Sequence, residues 1–109
     1  MHDFSKIAVI GGGSWATAII KILCENNNSV GWYVRNKEVF KHLKKEGHNP
    51  NYLSSVTFNL NLLDLQTDIN IIVAKYDVLI LATPSYYLGE VLSNLKESIE
   101  NKVVFSAVK

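Results

Sequence analysis

The sequence has very little sulfur chemistry in it. Cys24 is its one cysteine, so a disulfide framework is excluded and no cysteine pair has metal-ligand spacing. The thiol sits inside a helical pattern and reads as a small apolar filler. Charge of one sign is also missing. Eleven Lys and Arg against ten Asp and Glu give a net charge of +1, with no basic stripe interleaved with aromatics. This argues against nucleic acid and against an anionic membrane surface as partners. No apolar run approaches the roughly 20 residues of a membrane span, and the opening MHDFSK has no signal-peptide core. The expected compartment is therefore the cytoplasm. Repeats, low-complexity tracts and linkers are absent too, and His42 and His48 lack the i, i+4 spacing and acidic neighbours of a metal site. Both read as surface residues, and no metal is expected.

What is present is apolar material enough for one domain: 109 residues, 48% of them hydrophobic and 19% charged. The densest information lies in Ile7 to Ala18, IAVIGGGSWATA. Lys6 to Ile10 reads as a short buried strand. Gly11, Gly13 and Ala16 then fit the spacing G-x-G-x-x-G/A of a dinucleotide-binding turn. Gly11 permits the sharp exit from the strand, Gly13 removes the Cβ that would hold a pyrophosphate off the backbone, and Ala16 keeps the helix close to the sheet. A helix starting near Ser14 aims its unpaired N–H groups and the positive end of its dipole at phosphate. Along that helix Trp15, Ile19, Ile22 and Leu23 recur at helical spacing and are expected to form its buried face.

Asn26-Asn27-Asn28 supplies a turn, and Ser29 to Val34 follows as a second strand. In a βαβ unit of this kind the residue about 20 positions beyond the glycines reads the adenosine ribose. Here it is Arg35. An NAD-type site places Asp or Glu there, whereas Tyr33-Val34-Arg35-Asn36 holds no acid and a guanidinium suits a 2′-phosphate. NADP(H) is thus the favoured cofactor, with NAD(H) the alternative.

Lys37 to Glu46 reads as a helix with Val39, Phe40 and Leu43 inward, closed by Gly47. The turn-rich stretch His48 to Ser55 carries Tyr52, either against the adenine or pinning the loop. Val56 to Phe58 and Leu62 to Gln66 are expected to be extended. A short helix through Ala74 is capped by Thr67 or Asp68 and buries Ile69, Ile72 and Val73. Asp77 to Thr83, DVLILAT, is continuous enough for a parallel strand covered on both faces, and Thr83-Pro84-Ser85 at its end should border the ligand. Leu88, Val91, Leu92 and Leu95 mark another helix, and Lys102 to Val108 the last strand. The expected fold is α/β, a Rossmann-type doubly wound and mainly parallel sheet of order 3-2-1-4-5, truncated after its fifth strand. Its last strand then presents an uncharged apolar edge, Val103 to Val108, for which homo-oligomeric pairing is an expected outcome.

With these motifs placed, the chain resembles the N-terminal domain of the bacterial NAD(P)-dependent glycerol-3-phosphate dehydrogenases. The resemblance is carried by Gly11 to Ala18, Trp32-Tyr33-Val34-Arg35, Asn49-Pro50-Asn51-Tyr52-Leu53, Ala82-Thr83-Pro84-Ser85 and a fifth strand ending in Lys109. It implies that Ser14 and Trp15 meet the cofactor phosphates, that Arg35 meets the adenosine phosphate, and that Tyr52 lies beside the cofactor. It further implies that Lys109 touches both cofactor and a small phosphorylated substrate. The implied reaction is hydride transfer between NAD(P)H and dihydroxyacetone phosphate, giving sn-glycerol 3-phosphate for phospholipid synthesis. In that family the general acid/base lies in a helical C-terminal domain, so no catalytic residue is expected within residues 1–109. Two other readings fit the residues: a free-standing nucleotide-binding or sensing module, and another reductase of the same fold.

Overall fold

The computed structural model describes residues 5–26, 29–52, 55–96 and 98–107. Five strands form one sheet: β1 (Ile7–Ile10), β2 (Val30–Tyr33), β3 (Leu63–Gln66), β4 (Val78–Leu81) and β5 (Val103–Ser106). Their order is β3-β2-β1-β4-β5, and every pairing is parallel. Four α-helices connect them: α1 (Ser14–Glu25), α2 (Lys37–Glu46), α3 (Ile69–Lys75) and α4 (Ser85–Ser93). The order reverses direction at β1, between β2 and β4. That switch point opens a crevice at the strands' carboxyl ends.

Apolar side chains alternate between two cores, one on each face of the sheet. Val9 and Trp32 point to the first, with Ala16 and Ile20 of α1 and Val39 and Leu43 of α2. Ala8, Ile10 and Tyr33 point to the second, with Ile69, Ile72 and Val73 of α3 and Val91 of α4. This two-sided burial is why the strands are written as continuous apolar runs.

Helix ends follow local chemistry. The Asn36 side chain accepts from the amides of Glu38 and Val39 to start α2, and Gly47 at φ 78° closes it. The Asp68 carboxylate accepts from the Asn70 amide at the head of α3. α3 buries Ile69, Ile72 and Val73 as expected, and α2 buries Val39 and Leu43 with Phe40 partly buried against the first core.

Two expectations need correction. The buried face of α1 is Ala16, Thr17 and Ile20, while Trp15 and Ile22 are 54% and 58% exposed. An apolar arc around most of a helix leaves its orientation undecided, and the small residues win because α1 must lie close to β1. Val56 to Phe58, expected to be extended, stays outside the sheet. The Phe58 amide is held by the Gly47 carbonyl at 2.7 Å, its buried ring meets Trp32 edge-on, and a 3₁₀ turn, Leu60–Leu62, leads into β3. His42 and His48 are half-buried rather than surface residues, their Nε2 atoms 3.4 Å apart. The tight Gly47 cap folds the chain back and brings them together.

Candidate functional site

The site begins where β1 ends. The Gly11 amide donates to the Tyr33 carbonyl at 3.0 Å, and its own carbonyl accepts from the buried Trp32 indole at 2.6 Å. Gly11 has φ +140°, and a Cβ there would stand 2.8 Å from the Ala82 carbonyl oxygen. No side chain fits. Across the switch point the Ala82 amide and the Thr83 hydroxyl both donate to the Ile10 carbonyl, at 2.9 and 3.1 Å. The turn is thereby fixed to β2 on one side and β4 on the other.

Gly13 precedes α1, and a Cβ there would meet nothing within 4 Å. Its missing side chain leaves room toward the crevice rather than relieving a clash. Thr17 donates its amide and its hydroxyl to the Gly13 carbonyl, at 3.0 and 2.7 Å. Helix geometry gives the amides of Ser14, Trp15 and Ala16 no carbonyl within α1. Nor does a side chain cap this end, and no acidic residue occupies the first turn. The positive end of the α1 dipole is therefore uncompensated where the backbone is most accessible to an anion.

A cleft of about 290 Å³ lies beside this turn. Gly11, Gly12 and Gly13 floor it, Arg35 and Asn36 continue it past β2, Asn51 and Tyr52 form one wall, and Thr83, Pro84 and Tyr87 the other. Of the residues expected from the sequence, Gly11, Gly13, Arg35 and Tyr52 meet here. Ser14 and Trp15 are exposed at the start of α1 and are not among the residues that line the cleft. Lys109, Val108 and the Ser85 side chain lie outside the described residues. Cys24 is half-buried, burial pushes its thiol up, and it packs against the first core as an inert filler.

Asn49 is the residue that motif spacing alone left without a role. It is fully buried. Its amide nitrogen donates to the Gly12 carbonyl at 3.1 Å and to the Thr17 hydroxyl at 3.0 Å. Its oxygen accepts from the amides of Asn51 and Tyr52, at 2.9 and 3.3 Å. One side chain thus joins the glycine turn, the first turn of α1 and the loop carrying Tyr52. The signal in the sequence is an Asx-type turn, Asn-Pro-Asn-Tyr, following a closed helix. Its distant partners could not be read from it.

Comparison with known proteins bears directly on this geometry. The sequence model described as "NAD-dependent glycerol-3-phosphate dehydrogenase N-terminus" matches residues 6–109. The glycerol-3-phosphate dehydrogenase [NAD(P)+] of Rickettsia typhi is 34% identical over 97 residues, which are 88% of this chain and 29% of that protein. Its counterpart in Teredinibacter turnerae is 34% identical over 110 residues, covering 100% of this chain and 32% of the relative. Among solved structures, the glycerol-3-phosphate dehydrogenase of Saccharomyces cerevisiae superposes with a TM-score of 0.80 at 25% identity, over 95% of this chain and 33% of that one. The Coxiella burnetii enzyme gives a TM-score of 0.81 at 21% identity, over 94% and 32%, a likeness of fold. The chain spans about a third of the length of the relatives it matches.

Proposed function

From the premise that the chain belongs to the family of NAD-dependent glycerol-3-phosphate dehydrogenase N-termini, we propose that it is the cofactor-binding part of a cytoplasmic dehydrogenase. That enzyme interconverts dihydroxyacetone phosphate and sn-glycerol 3-phosphate and uses NADP(H) in preference to NAD(H). The observation that carries this reading is the cleft in which the Gly11 to Gly13 turn and Arg35 lie together. The nicotinamide supplies the hydride, and the chain's own residues bind and orient the dinucleotide.

In this reading Gly13 and the first amides of α1 would hold the pyrophosphate, Arg35 would hold the adenosine 2′-phosphate, and Tyr52 would stand beside the adenine. Lys109 would serve both cofactor and phosphorylated substrate, and the general acid/base would lie outside residues 1–109. The exposed edge β5 is the route we assign to any homo-oligomer.

Titrating the natural full-length protein with NADPH and NADH tests the assignment. NADPH should bind more tightly, and Arg35→Ala should remove most of the difference, about one to two decades for one charge-assisted hydrogen bond. Equal affinities in the unmutated protein would overturn the NADP(H) preference. Failure of dihydroxyacetone phosphate to drive NADPH oxidation would overturn the activity.

A further inference from the structure

Arg35 does not enter the cleft alone. Its guanidinium carbon lies 4.1 Å from the centroid of the Tyr87 ring, and one of its terminal nitrogens is 3.3 Å from Oε1 of Glu90. Tyr87 and Glu90 are three residues apart on α4 and therefore share a face of that helix. Tyr87 lines the cleft, whereas Glu90 is not among its lining residues. The pairing ties the end of β2 to a helix 55 residues further along the chain.

Resting on the reading that Arg35 takes the adenosine phosphate, we propose that Glu90 is a positioning residue that weakens the cleft's preference for a 2′-phosphorylated adenosine. Arginine offers five N–H donors in a planar fork, and Glu90 engages one of its corners. A 2′-phosphate brings about −1.5 to −2 charges to the same fork. It must share the guanidinium with a carboxylate of its own sign. A ribose 2′-hydroxyl brings no charge and meets no such opposition. Glu90 therefore taxes the phosphorylated cofactor selectively and moves the site toward use of both. Tyr87 makes the effect separable from loss of position, because cation–π stacking continues to hold the guanidinium when the carboxylate is neutralised.

The magnitude is bounded by exposure. The Arg35 and Glu90 side chains are 41% and 59% exposed, so solvent and salt screen them, and the expected change is about two- to fivefold in affinity. The test uses the natural full-length protein and two probes that differ only by the 2′-phosphate, adenosine 2′,5′-bisphosphate and adenosine 5′-monophosphate. Glu90→Gln should tighten the bisphosphate by that factor at low salt, less at high salt, and leave the monophosphate unchanged. In an Arg35→Ala background Glu90→Gln should bring no gain. A bisphosphate affinity that is unchanged or weaker in Glu90→Gln would overturn the proposal, as would a gain that survives Arg35→Ala. The two readings fail differently. If the unmutated protein does not distinguish the probes, the role of Arg35 falls and takes Glu90 with it. A preference that Glu90→Gln leaves untouched removes Glu90 alone.

Discussion

Two strands of this sheet are written in much the same alphabet and live in opposite surroundings. β2 is VGWY and buried at every position. β5 is VVFS, with Val104 and Phe105 39% and 53% exposed. The difference is one of rank in the sheet. β2 lies between β1 and β3 with helices over both faces, while among the described residues β5 pairs with β4 alone. An apolar run therefore announces a strand without announcing how much of it is covered. The cleft grows from the buried centre, where each turn is bonded to a neighbouring strand. Among the described residues each edge strand pairs with one neighbouring strand.

The comparison breaks most visibly at its centre. Gly11→Val should cost about 3 kcal/mol or more in denaturant titration, because it adds left-handed strain and a backbone clash at a position with no free volume. A variant as stable as the parent would mean that the turn is not locked to Ala82.

The β3 edge comes next. Asp64 is partly buried, which by itself raises its carboxyl pKa. Hydrogen bonds from Lys75, Gln66 and Tyr76, with the Lys75 charge, outweigh that and hold it below the ordinary aspartate value. The Lys75 ammonium lies 2.6 Å and the Tyr76 hydroxyl 2.9 Å from the same carboxylate oxygen. A lowered folded pKa gives stability that is fully present above the unfolded value of about 3.9 and is lost as pH falls through the folded one. Asp64→Asn should therefore be less stable than the parent at neutral pH and should lose less on acidification below about pH 4. Parallel acid-unfolding curves for the two proteins would show that the network carries no such linkage.

The smallest effect belongs to β5. In the 109-residue chain, Phe105→Thr should change stability by less than about 1 kcal/mol, since threonine's β-branching suits a strand and the ring it removes is already half in water. A loss of about 3 kcal/mol, the scale of a buried phenylalanine, would reveal that something covers this strand in solution.

The limits of α2 with its Gly47 cap were readable, and the start of α3 was narrowed to Thr67 or Asp68, because both depend on neighbours a few residues away. The strand order was readable only through the βαβ motif that the glycine turn announces. The sequence also located Gly11, Gly13 and Arg35 through their spacing along one βαβ unit. It could not orient α1, whose apolar residues surround too much of the helix for periodicity to choose among them. Nor could it pair His42 with His48 across a helix cap, connect Asn49 to Gly12, or bring Glu90 to Arg35. The histidine pair follows from the chain reversal at Gly47, whereas the other two contacts are products of long-range chain connections that no local pattern encodes.

The bond from the Trp32 indole to Gly11 has an optical consequence. The chain holds two tryptophans, one buried and bonded to the turn that floors the cleft, the other standing in water at the head of α1. Their emission should divide into a blue component sheltered from iodide and a red component open to it. A ligand in the cleft should perturb the sheltered component, because Trp32 is the one bonded to the turn that lines it, and no label is needed.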